Sequence, residues 1–67
     1  MITFQLNGQP HQCEAETSLA ALLQQLGLAE KRLAVELNGD VVPRSRFEQT
    51  LLKADAVVEI IHAIGGG

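Results

Sequence analysis

The apolar positions change period along the chain, and each period predicts an element. "MITFQL" alternates, with Ile2, Phe4 and Leu6 on one face and Thr3 and Gln5 on the other. That is the pattern of a half-buried strand. Asn7-Gly8 follows, a pair suited to a type I′ turn because both central positions need positive φ. The return strand "QPHQCE" then sets Leu6 opposite Gln9, Phe4 opposite His11 and Ile2 opposite Cys13. This register puts His11 and Cys13 on the core side. Pro10 has no N–H to give a neighbour, so the return strand belongs at a sheet edge.

The period lengthens in "TSLAALLQQLG". Leu19, Leu22, Leu23 and Leu26 form one apolar stripe of a helix. Thr17 is a good N-cap, with Ser18 as the alternative, and Glu14 and Glu16 sit near the positive N-terminal end. Gly27 is placed to end the helix in a left-handed conformation, with Leu28 making the hydrophobic contact of a Schellman motif. After the polar connection "AEKR", the run "LAVELNGDVV" predicts a second hairpin around Asn38-Gly39, stopped by Pro43. "RSRFEQTLLKAD" carries Phe47, Leu51 and Leu52 as irregular chain with a short helical turn. "AVVEIIHAI" is the last strand. Glu59 prefers water, so Val58 and Ile60 face the core, and Val57, Ile61 and Ala63 face outward.

The order is β-β-α-β-β-β with one helix. A crossover containing a helix suits a parallel pair, so the first and last strands are expected side by side at the sheet centre. The arrangement resembles the β-grasp fold of ubiquitin. The expected class is α+β, a mixed sheet of four to five strands with one main helix packed on one face. Residues 1–62 form the domain, and 63–67 a flexible glycine tail projecting from the central strand.

Composition narrows the function. With 67 residues, 46% hydrophobic and 3% aromatic, the chain forms one small domain with an aliphatic core, worth about 3–5 kcal/mol without staples. One cysteine, Cys13, excludes an internal disulfide framework and a cysteine-only iron–sulfur or zinc site. It fits a reducing, cytoplasmic setting. The net charge of −3, without a basic cluster, argues against nucleic acid. No apolar stretch is long enough to span a membrane, and the N-terminus lacks the regions of a signal peptide.

Few residues carry candidate chemistry. His11, Cys13 and His62 are potential metal ligands, but a zinc site needs four ligands, or three plus water. The plainer reading makes Cys13 a small core residue and His11 a partly buried one. Cys13 lies beside Glu14 and Glu16 and points inward, a poor setting for a reactive thiol. Glu14 with Glu16, and Glu48 with Asp55, read as solvated charges in the absence of a pocket. Arg44 and Arg46 read equally as docking contacts for an acidic patch or as ordinary solvated charge. The outward face of the last strand is more informative, because contiguous exposed apolar patches mark interfaces.

Gly65, Gly66 and Gly67 have no side chains to pack, and their backbone is the freest available. A frayed end is the plain reading of such a tail. On a β-grasp domain it gains a chemical meaning. A carboxylate is a poor electrophile and reacts only after conversion to an acyl-adenylate in another enzyme's nucleotide site. A slim glycine peptide can thread such a channel and leaves its terminal carbonyl unhindered.

The residues together resemble the ThiS family, the sulfur carriers of thiazole formation in thiamin biosynthesis. The matching features are "ELNG", "VVPR", the "DAVVEI" strand, the glycine terminus, the "LNGQ" hairpin and the "TSLAALLQQLGL" helix. Phe47 stands where the family often has Trp, and Ala54-Asp55 where Gly-Asp is usual. The resemblance implies that a ThiF-like adenylyltransferase uses ATP and Mg²⁺ to adenylate the carboxyl group of Gly67. Sulfur from a donor protein then replaces AMP to give a thiocarboxylate, and a ThiG-like thiazole synthase accepts it. Gly65 and Gly66 thread the partner sites, and Val57, Ile61, Ala63, Ile64, Arg44 and Arg46 are the expected partner interface. The chain itself is expected to be a co-substrate that binds no cofactor and is not an enzyme. Alternatives are a MoaD-like carrier of molybdopterin synthesis, a ubiquitin-like protein modifier, and a plain β-grasp interaction module.

Overall fold

Two Asn-Gly turns organise the sheet. The computed structural model describes residues 1–62. Strand β1 (Ile2–Leu6) turns at Asn7-Gly8 into β2 (Gln9–Cys13). Strand β3 (Leu33–Leu37) turns at Asn38-Gly39 into β4 (Asp40–Val42). Asn7 and Asn38 have φ of 51° and 52°, and Gly8 and Gly39 have 82° and 88°. These are the left-handed values that a type I′ turn requires. The β1–β2 register pairs Ile2 with Cys13, Phe4 with His11 and Leu6 with Gln9, as the alternation predicts.

Among the described residues one α-helix, α1 (Leu19–Gln25), covers one face of the sheet. Ser18, not Thr17, is its N-cap, and its hydroxyl oxygen accepts from Ala21 N–H at 3.0 Å. The Thr17 hydroxyl is instead turned back, donating to the Glu14 carbonyl at 2.7 Å. Glu14 and Glu16 are exposed and outside the first helical turn. The other free N–H groups of that turn find partners in the irregular chain: Leu19 donates to Thr50 O at 2.9 Å and Ala20 to Phe47 O at 3.0 Å. Such groups have no partner within their own helix, so the segment after β4 completes the helix start. At the other end Gly27 has φ of 75°, while Leu28 N–H reaches Leu23 O and Gly27 N–H reaches Gln24 O, the Schellman pattern.

Strand β5 (Val57–His62) closes the sheet in the order β2-β1-β5-β3-β4. It runs parallel to β1 and antiparallel to β3. Pro10 therefore lies on an edge strand, and the last strand is central. This is a β-grasp fold of the α+β class. The core between helix and sheet contains Phe4, Leu19, Leu22, Leu23, Val35, Leu52, Val58 and Ile60 among its buried residues.

Depth departs from the period-based reading at one position. His11 shares the face of Phe4 but is exposed. It sits on the edge strand with its ring stacked over Phe4, centroids 5.9 Å apart at 22°, so it covers the core from outside. In the irregular segment after β4, Phe47 and Leu52 are buried, whereas Leu51, whose backbone bridges to Ser18 at the helix start, is exposed.

Candidate functional site

The site is built on β5, the strand that leads towards the glycines. Its inward residues, Val58 and Ile60, are 0% and 7% exposed, whereas Val57 and Ile61 on the outer face are 43% and 49% exposed. The alternation is the one Glu59 predicts. The expected interface residues Ala63 and Ile64, and the tail residues Gly65, Gly66 and Gly67, lie outside the described residues.

The neighbouring strands extend the outer face beyond what the sequence reading identified. Ala34 pairs with Ile61 and Glu36 with Glu59, while Val41 lies beside Glu36. Val41 is 67% exposed. The face around β5 is thus an aliphatic patch of Ala34, Val41, Val57 and Ile61 with two carboxylates directly opposite each other within it. The charges are alike, and like charges at this position destabilise a sheet. None of the side-chain hydrogen bonds among the described residues involves Glu36 or Glu59. The signal for Ala34 and Glu36 was the parity of "LAVEL" around the buried Val35.

Where β5 ends, a hollow of about 340 Å³ is lined by Arg32, Leu33, Ala34, Ile61 and His62. It is open and lies next to the exit of the chain. A second hollow, about 190 Å³, lies between α1 and the 3₁₀ turn Arg44–Arg46 and is lined by Ala20, Leu23, Ala29, Arg44, Phe47 and Glu48.

The two arginines separate in role. Arg44 donates to Ala29 O at 3.2 Å and Lys31 O at 2.9 Å, and its guanidinium lies 5.6 Å from the Phe47 ring centroid. It fastens the chain after the helix to the 3₁₀ turn. The Arg46 side chain is exposed and makes no hydrogen bond among the described residues.

Cys13 is buried and free. Among the described residues no three His, Cys, Asp or Glu side chains converge as a metal site would require, so His11, Cys13 and His62 are not brought together. No helix among them is long and apolar enough to cross a membrane.

A central strand with an apolar outer face, followed in the sequence by a glycine end, is therefore the candidate site. The ThiS family model matches residues 4–67. The chain belongs to the ThiS family. Sulfur carrier protein ThiS of Bacillus subtilis is 33% identical over 64 residues, covering 94% of this chain and 97% of that protein. A crystal structure of the thiamine biosynthesis protein ThiS from Geobacter metallireducens superposes with a TM-score of 0.85 at 32% identity, covering 98% of this chain and all of that one. A thiazole synthase of Magnetococcus marinus is 47% identical over 62 residues, 92% of this chain. This ThiS-family chain spans only 19% of that relative's length.

Proposed function

We propose that this ThiS-family sulfur carrier of thiamin biosynthesis bears its sulfur as a thiocarboxylate on Gly67. The observation that carries the reading is the placement of β5. A strand held between β1 and β3 leads to three residues without side chains. Five residues follow His62, and at full extension they reach at most about 18 Å. That is enough to enter a partner's active site while the domain remains outside it.

The chemistry needs a partner at each step. A ThiF-like adenylyltransferase joins the Gly67 carboxylate to the AMP portion of ATP, with Mg²⁺ on the phosphates, and releases pyrophosphate. Hydrosulfide, sulfur at the sulfide level delivered by a donor protein, attacks the activated carbonyl carbon, AMP departs with the original oxygen, and loss of the sulfur-bound proton leaves the thiocarboxylate. Gly65 and Gly66 let the backbone lie close to the walls of the channel. The product is a co-substrate for a ThiG-like thiazole synthase. A thiazole synthase that itself contains a segment 47% identical to this chain supports that partner. The aliphatic patch around Val57 and Ile61 offers a docking surface for the domain, with Ala63 and Ile64 continuing towards the tail. Such a surface supplies binding energy that an ordered tail costs in entropy. Arg46 is available to an acidic patch on the partner.

Truncation separates this reading from its rivals. Deleting Gly66 and Gly67 abolishes sulfur transfer by a carrier, whereas a plain interaction module binds its partner unchanged. Attachment of the chain to lysines of other proteins, seen as larger species in lysates, marks a protein modifier instead. Retained transfer after the deletion would overturn the proposal.

A further inference from the structure

The two Asn-Gly turns do more than reverse the chain. Asn7 donates its backbone N–H to Val58 O at 2.9 Å, and its side-chain Oδ1 accepts from Ile60 N–H at 2.8 Å. Asn38 donates its backbone N–H to Val57 O at 2.7 Å, and its Oδ1 accepts from Val57 N–H at 2.9 Å. Both asparagines therefore hold β5, one from each edge.

The patterns reproduce the ladder that each turn interrupts. A residue of a parallel strand bonds to two partners on either side of its opposite number, as Asn7 bonds to Val58 and Ile60. A hydrogen-bonded antiparallel pair exchanges both bonds with one residue, as Asn38 does with Val57. In each case positive φ rotates the main-chain carbonyl into the turn, and the side-chain carbonyl takes its place. Few residues meet both demands. Glycine tolerates the conformation but has no acceptor, whereas Asn and Asp tolerate it and carry one.

We infer that Asn7 and Asn38 are positioning residues whose side-chain carbonyls extend the β-ladders past the turns and clamp β5 at Ile60 and Val57. Asn7 is the more consequential. β1 ends at Leu6 and pairs with β5 only through Gln5 and Leu6. Ile60 is thus the last position of β5 held on that edge among the described residues, while β3 holds the other edge as far as His62. The bond at Ile60 helps set the direction of β5 over its last described residues, Ile61 and His62. That the direction matters for delivering Gly67 rests on the carrier reading proposed above; the clamp itself does not.

Hydrogen exchange and carrier kinetics test the clamp together. Asn7→Gly keeps the turn conformation and removes the acceptor, and Asn7→Asp keeps both. In Asn7→Gly the Ile60 amide exchanges faster by about fivefold relative to Val58, the equilibrium worth of one ordinary hydrogen bond. Asn38→Gly does the same for Val57 alone. With a ThiF-type adenylyltransferase, well below the unfolding temperature, Asn7→Gly lowers kcat while KM for the carrier stays within about twofold, because one lost hydrogen bond at the exit leaves the docking face intact. Asn7→Asp restores kcat, and Asn38→Gly lowers it less than Asn7→Gly does. A purely structural role would lower the melting temperature without this split. In the wild-type protein a scalar coupling links the Ile60 amide nitrogen to the Asn7 side-chain carbonyl carbon, and its absence overturns the clamp whether or not the variants fold. Unchanged Ile60 exchange in Asn7→Gly, or an Asn7→Asp variant that exchanges like it, also overturns it. A wild-type chain that the enzyme cannot adenylate refutes the carrier reading, and the exchange and coupling results still decide the clamp.

Discussion

Each face of β5 carries one valine and one isoleucine, and the two faces differ in what surrounds them. Val58 and Ile60 face the helix and are sealed from water, whereas Val57 and Ile61, one position away from them, are 43% and 49% exposed. The inner pair is held by shape, packed among Phe4, Leu19 and Leu23. The outer pair lies among Gln5, Ala34, Val41 and two opposed carboxylates. Apolar composition alone therefore says little. An aliphatic side chain inside stabilises the fold, and the same side chain outside leaves apolar area available for a partner.

Truncation of the inner face has the largest expected effect. Ile60→Ala lowers unfolding free energy by about 2–5 kcal/mol, comparable with the whole stability of a domain this small. Chemical denaturation measures it, and a loss below about 1 kcal/mol would erase the distinction between the faces, since that is the range of ordinary substitutions.

The contrast between the faces was legible in the sequence, because a strand's period is two and Glu59 sets its phase. The β1–β2 register was equally legible, since Asn7-Gly8 fixes a two-residue loop and everything before and after it. Depth was not. His11 has the parity of a core residue, but an edge strand leaves its outer flank to water, so the ring lies over Phe4 from outside. The helix cap was ambiguous because Thr17 and Ser18 are both competent. The choice depends on Leu19 and Ala20 donating to Thr50 and Phe47, contacts about thirty residues away in a segment with no period of its own. The roles of Arg44 and of the Asn7 and Asn38 side chains depend on similar long-range bonds. The opposition of Glu36 and Glu59 likewise needed the β3–β5 register.

The outer face should answer in binding and not in stability. Ile61→Ser changes unfolding free energy by no more than about 0.5 kcal/mol. It weakens binding to a ThiF-type adenylyltransferase by about tenfold, the loss of a moderate interface anchor. Titration calorimetry reads the second and denaturation the first. A variant that loses stability but keeps affinity would reverse the assignment of the faces.

The helix that seals the inner face can be loosened without touching either side of β5. Ser18→Ala removes the acceptor of the Ala21 N–H and costs about 1 kcal/mol of stability, while leaving partner affinity unchanged. An effect on affinity as large as that of Ile61→Ser would mean that the helix side also docks.

The smallest effect has the opposite sign. Glu59→Gln relieves the opposition to Glu36 and raises stability by about 0.2–1 kcal/mol at low salt. The gain fades at 1 M salt, where the screening length falls to about 3 Å. Thermal unfolding at the two salt concentrations distinguishes this from a packing effect, which salt would not remove.

The central claim is that the Gly67 carboxyl carries the sulfur, and peptide mass mapping tests it most directly. The protein is incubated with ATP, Mg²⁺, an active ThiF-type adenylyltransferase and a sulfur source, then digested. The account predicts that one oxygen is replaced by sulfur in the C-terminal peptide, and that the change disappears when ATP is omitted. Oxidation of Met1 or Cys13 adds nearly the same mass but maps to other peptides. An unmodified C-terminal peptide, with the enzyme shown to be active on a known carrier, would contradict the account.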